Sequence, residues 1–162
     1  MQNITYNFHS DNSPEQNLHS SSHINSHTIL PSNLKNPLKS IPFLQGYDFE
    51  ENTLITFLLD ASYNLITLNI SQSTIANVNN ITKFCITNTA KQIILATKTI
   101  NASNHPNLTD LPYHFINELH SKLNPLAISL LDYIFFSQED FFSLRYHDLL
   151  NIPNYDVTAA ES

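Results

Sequence analysis

Thr53-Leu54-Ile55-Thr56-Phe57-Leu58-Leu59-Asp60 is a nearly continuous run of apolar and β-branched residues, broken by Ala61-Ser62-Tyr63-Asn64 and answered by a second run from Leu65 to Ile70. Such a pair reads as strand, turn, strand, and the rest of the chain has to be built around that hairpin. Between Ile75 and Ala90 the apolar residues Ile81, Phe84, Cys85 and Ala90 approximate helical spacing, after which Gln92 to Ala96 reads as a buried strand. Tyr113, Phe115, Ile116, Leu119 and Leu123 then follow a helical stripe that Asn124-Pro125 stops. Leu126 to Phe136 is strand-like, Ser137 to Asp140 makes a turn, Phe141 to Leu144 returns as a strand, and Tyr146 to Leu150 has room for one helical turn. Alternating strands and helices favour an α/β domain with three layers, a mixed central sheet flanked by helices.

Composition decides where that domain begins. Residues 1–44 hold few large apolar side chains, many Ser, Asn and His, and prolines at Pro14, Pro31, Pro37 and Pro42. A segment of this kind buries too little surface to offset its ordering entropy, so it reads as a disordered tail. The expected organisation is a tail over 1–44, the domain over 45–153 and a flexible end over 154–162. On this reading the core starts near Asp48.

Charge and cysteine usage exclude several function classes. The formal net charge is −7, from 14 acidic against 7 basic residues, and the lysines are scattered. A phosphate-binding surface needs clustered Lys and Arg, so nucleic acid is not expected as a partner. Tyr133, Phe135, Phe136, Phe141 and Phe142 lack the interleaved basic residues of a base-stacking platform, and strand packing accounts for them. The lone Cys85 cannot form an internal disulfide and reads as a small core residue. With no signal peptide and no apolar run near the length of a membrane span, the expectation is a soluble cytoplasmic chain without a membrane partner. A single glycine leaves no glycine-rich loop to cradle phosphate.

The segment Ile94-Leu95-Ala96-Thr97-Lys98-Thr99, followed by a polar loop and Asp110, resembles the RadC branch of the JAB/MPN (JAMM-type) metallopeptidase superfamily. There the corresponding stretch reads I-L-A-H-x-H-P-S-G-x-x-x-P-S-x-x-D. Three more stretches support the likeness. Leu58-Leu59-Asp60 is similar to the family's F-L-D turn, Ser73-Thr74-Ile75 to its G-T-L, and Leu131-Asp132-Tyr133-Ile134 with Phe142-Ser143-Leu144-Arg145 to its L-D-H-I and (Y/F)-x-S-(F/L)-x-E-R. These four anchors fall in the family's order across roughly residues 50–150. Gly46 is the only glycine, so the family's usual helix-hairpin-helix region, which needs glycine turns, has no counterpart.

In active members of that family two histidines and an aspartate hold zinc, and a glutamate takes a proton from the bound water. Zinc is what brings the pKa of that water from about 15.7 to about 7. The resemblance puts the metal-ligand positions at Thr97, Thr99 and Asp110, the glutamate at Asn52 and the serine that helps an oxyanion form at Asn107. The family histidine of L-D-H falls on Tyr133. A threonine hydroxyl is a poor substitute for imidazole, and Glu51, one residue from Asn52, would face the other way on a strand. The resemblance therefore implies a catalytically inactive domain with no zinc and no cofactor, kept to bind a protein or persisting as a decayed paralogue. The alternatives are an active RadC-type zinc metallohydrolase and a DNA-repair-associated protein. Read from residues alone, Asp110 also serves as a cap for the helix that follows it, and His105, Asp110 and His114 could form a relocated metal site on a helix face.

Overall fold

The computed structural model describes residues 4–7, 29–73, 77–100 and 112–150, with the backbone alone for 4–7. In chain order the elements are strand β1 (Ile4–Asn7), a 3-10 turn (Pro37–Ser40) leading into the short helix α1 (Ile41–Gly46), strands β2 (Thr53–Leu59) and β3 (Leu65–Gln72), helix α2 (Val78–Thr87), strand β4 (Gln92–Lys98), helix α3 (Tyr113–Leu123), a second 3-10 turn (Asn124–Leu126), and strands β5 (Ser129–Phe136) and β6 (Phe141–Ser143). The strands form one mixed sheet in the order β1-β3-β2-β4-β5-β6. Among the described strands only β4 and β5 run parallel, and α3 lies in the crossover between them.

The hairpin of β2 and β3 closes because the Asp60 carboxylate accepts the backbone N–H groups of Ser62 and Asn64, at 2.8 and 2.9 Å. Asx-type bonding of this kind lets a short polar side chain set a turn without glycine. All seven residues of β2 are buried, as expected for a strand with neighbours on both edges and packed layers on both faces.

One face of the sheet is covered by α2 and α3, through Val78, Ile81, Cys85, Ile116, Leu119 and Leu123 against Leu54, Leu58, Ile93 and Leu95. The opposite face carries α1 and its flanks, through Leu34, Ile41, Phe43, Leu44 and Phe49 against Ile55, Phe57, Ile94, Ala96, Ile134 and Phe136. Helix α2 starts where the Asn77 side chain accepts Asn80 N–H at 2.7 Å. It stops at a left-handed Thr89 (φ 54°), where Ala90 N–H reaches Cys85 O at 2.9 Å and Thr89 N–H reaches Ile86 O at 3.1 Å. That is the Schellman arrangement with a β-branched residue where glycine is usual.

The expected disordered tail over 1–44 is too long. Leu34 and Leu44 are fully buried, and Ile41 and Phe43 nearly so. Leu34 N–H donates to Tyr63 O and Leu65 N–H to Ser32 O, both at 2.9 Å, which ties this segment to the end of the hairpin. The core therefore begins near Leu34 and not near Asp48. Farther back, Ile4–Asn7 pairs with β3 as an edge strand. The proposed last helical turn is also absent, since residues 144–148 form turns. The C-terminal stretch 154–162 lies outside the described residues.

Candidate functional site

Thr97 lies near the end of β4, in alternation with Ile93 and Leu95 on the face that α2 and α3 cover. Its hydroxyl is hydrogen-bonded to the Tyr133 hydroxyl at 2.9 Å, with Thr97 7% and Tyr133 5% exposed. Tyr133 comes from β5, the parallel neighbour, and its ring stacks on Phe135 with centroids 4.9 Å apart. Burial pushes the Tyr133 phenol above its ordinary pKa, and the bond to Thr97 offsets only part of that rise. The phenol stays protonated at neutral pH. Thr99 lies just past β4, its N–H donating to Phe136 O at 2.8 Å. Its hydroxyl is buried and has no hydrogen-bond partner among the described residues.

Asn52 arrives at the same end of the sheet by its main chain. Its N–H donates to Lys98 O at 3.0 Å, and its own carbonyl accepts Ser73 N–H at 2.7 Å. It sits at positive φ (65°) in the turn before β2, so the strand-alternation argument against Glu51 does not apply. Both residues are exposed turn residues, and Glu51 lines a cleft together with Lys98 and Thr99. The structure thus gathers Asn52, Thr97 and Thr99 at one sheet end. Asp110, Asn107 and His105 lie outside the described residues, and His114 is exposed in the first turn of α3. The N-cap position of α3 is Pro112.

The side chains at Thr97 and Thr99 do not fit zinc. A neutral hydroxyl already bonded to a protonated phenol offers no imidazole nitrogen or carboxylate oxygen to a cation. Cys85 offers no substitute, because burial raises its thiol pKa to about 12.

Two features escaped the sequence reading. Asp132, 1% exposed on the α1 side of the sheet, accepts the Ser143 hydroxyl at 2.5 Å and Arg145 N–H at 3.0 Å. Desolvation pushes its pKa up, while the bonds from Ser143 and Arg145 hold the rise back. An aspartate interrupting the apolar run Leu130 to Phe136 was the available signal. The second feature is Lys98, 9% exposed between the two threonines, whose ammonium has no hydrogen-bond partner among the described residues. A lysine ending an otherwise apolar strand was the signal there.

No family model matches the chain, and no curated protein matches it significantly.

Proposed function

We propose that this chain is a catalytically inactive domain of the RadC-like JAB/MPN type, without the zinc site of its active relatives and used to bind another protein. The observation that carries the reading is the buried bond between Thr97 and Tyr133. Both residues occupy positions that the resemblance assigns to histidines, Thr97 to a zinc ligand and Tyr133 to the histidine of L-D-H, and here their hydroxyls satisfy each other. The order of hairpin, helix, strand, loop, helix and strand from β2 to β5 supports the reading, as does the meeting of Asn52, Thr97 and Thr99 at one sheet end. None of the three supplies a ligand or a base strong enough for metal-assisted hydrolysis.

Elemental analysis of the purified full chain after mild dialysis tests this directly. Substoichiometric zinc is the expected result, and about one tightly held equivalent would overturn the reading. A companion variant, Thr97→His with Thr99→His and Tyr133→His, should gain zinc affinity in a calorimetric titration.

A further inference from the structure

We propose that the cleft at the C-terminal ends of β4 and β5 binds a short basic peptide segment of a partner protein. The cleft has a volume of about 610 Å³, within the range of ligand sites. Four acidic residues line it, Asp48, Glu51, Glu139 and Asp140, alongside Lys98 and Thr99. The Lys98 ammonium and the Thr99 hydroxyl are both buried without hydrogen-bond partners among the described residues. The ammonium sits over the Phe136 ring, 5.6 Å from its centroid.

Buried donors left unmade cost free energy that a bound acceptor would recover. Two such groups on neighbouring residues that line one cleft point to a ligand that brings oxygen acceptors, such as main-chain carbonyls. The formal charge of the cleft, four acids against one lysine, selects a ligand that is cationic elsewhere. A peptide with Lys or Arg side chains meets both demands. Anionic ligands, including nucleic acid, meet only the first. A chelated divalent cation is disfavoured because no three His, Cys, Asp or Glu among the described residues are grouped to hold one.

The frame of the cleft is already built. Ser137 N–H donates to Asp140 O at 2.8 Å, and Asp140 N–H donates back to Ser137 Oγ at 3.1 Å, which fixes the turn carrying Glu139. On the other side the Asn52 to Lys98 main-chain bond anchors the turn carrying Glu51. Binding would then cost little ordering of the main chain.

This inference rests on the protein-binding reading and can fail separately from it. The probe is a fluorescein-labelled hexapeptide of alternating lysine and glycine, blocked at both ends, titrated into the full chain by anisotropy. Its counterpart with glutamate for lysine serves as the control. Saturable binding of the lysine peptide alone is expected, weakened about tenfold by Glu51→Gln with Glu139→Gln. Lys98→Met separates this proposal from general attraction to an acidic surface. Removing a positive charge strengthens mere attraction, whereas losing the donor to the peptide carbonyl weakens binding.

Tighter binding by Lys98→Met, or no saturation at millimolar peptide, would overturn the proposal. Should Lys98→Met fail to fold, Thr99→Val and amide shift mapping on the parent decide. Weakening by Thr99→Val, with shifts at residues 98–99 and 137–140, supports the site; shifts elsewhere overturn it. A chain that holds zinc yet takes the peptide sinks the inactive-enzyme reading alone. A zinc-free chain that ignores the peptide sinks only this one.

Discussion

If the Thr97 and Tyr133 hydroxyls satisfy each other, removing either alone should cost more than removing both. Tyr133→Phe keeps the ring against Phe135 and deletes only the phenolic oxygen, leaving the Thr97 hydroxyl in a site that is 7% exposed. Thr97→Val keeps the volume and orphans the phenol in the same way. Each single change strands one buried polar group, which costs about 1–3 kcal/mol. In the double variant a methyl group faces a ring edge and no polar atom is left unpaired, so the total cost should be close to that of one single variant or less. The cycle should therefore show a favourable coupling of about 1–3 kcal/mol, within the range seen for residues in contact. Urea denaturation of the full chain is the assay, and with a slope of about 2 kcal/mol per molar a 2 kcal/mol loss moves the midpoint by roughly 1 M. The slopes have to agree among the four proteins for the comparison to stand. A double variant that loses the sum of the two single losses would refute the argument, because the hydroxyls would then not be partners. Midpoints that fall on adding a zinc chelator would refute its functional side.

Three other outcomes are expected. Deleting residues 1–40 should destabilise the fold strongly, since losing the fully buried Leu34 alone is comparable to a core truncation of about 2–5 kcal/mol; deleting 1–28 removes the edge pairing of β1 and should leave a cooperative transition, as thermal scans of the two truncations will show. Thr89→Gly should stabilise the chain by about 1 kcal/mol, because the left-handed position costs a β-branched residue energy that glycine avoids, and a lower urea midpoint would contradict this. The folded pKa of Asp132 is raised above its ordinary 3.8, so the native state binds its proton more tightly than the unfolded chain does. Stability should therefore fall as pH rises from 3.8 through the folded pKa and level off above it, and the difference between parent and Asp132→Asn unfolding free energies should carry that slope; a parent that gains on the variant as pH rises through this window would show the carboxylate is favoured by the fold.

The central elements were legible because each announces itself locally. The β2 and β3 runs, the stripes of α2 and α3 and the apolar β4 carry periods that follow from burying one face or two. The segment from Leu34 to Leu44 carries no such period. Its helix is only six residues long, its 3-10 turn starts at a proline, and the main-chain bonds that fasten it tie Ser32 and Leu34 to Leu65 and Tyr63 at the hairpin end. Polar composition made it look solvent-bound, yet a few fully buried residues suffice to fasten it. At the site, the alternation of Thr97 and Thr99 was visible, but their partners were not. Tyr133 reaches Thr97 from 36 residues away, and Ser143 reaches Asp132 from 11. Lys98 was passed over because a strand-ending lysine usually extends into water, and only the packing around Phe49 and Phe136 makes this one exceptional.

The register shift between β4 and β5 at Ile93/Ile94 sets the phase of the whole C-terminal half of the domain. Leu130 pairs with Ile93 and faces α2 and α3, while Ile94 pairs with Asp132, so Leu131 is the extra residue. From there on the side chains are one step out of the alternation with which β5 began. Without that step Asp132 would be driven into the apolar layer beneath the helices, and Tyr133 would turn away from Thr97 toward Phe43 and Phe57. One inserted residue thus decides which side of the sheet receives the carboxylate and which the phenol. Deleting Leu131 would remove the bulge while leaving Asp132 opposite Ile94 and Tyr133 opposite Leu95, so the partners of both would survive the shortening.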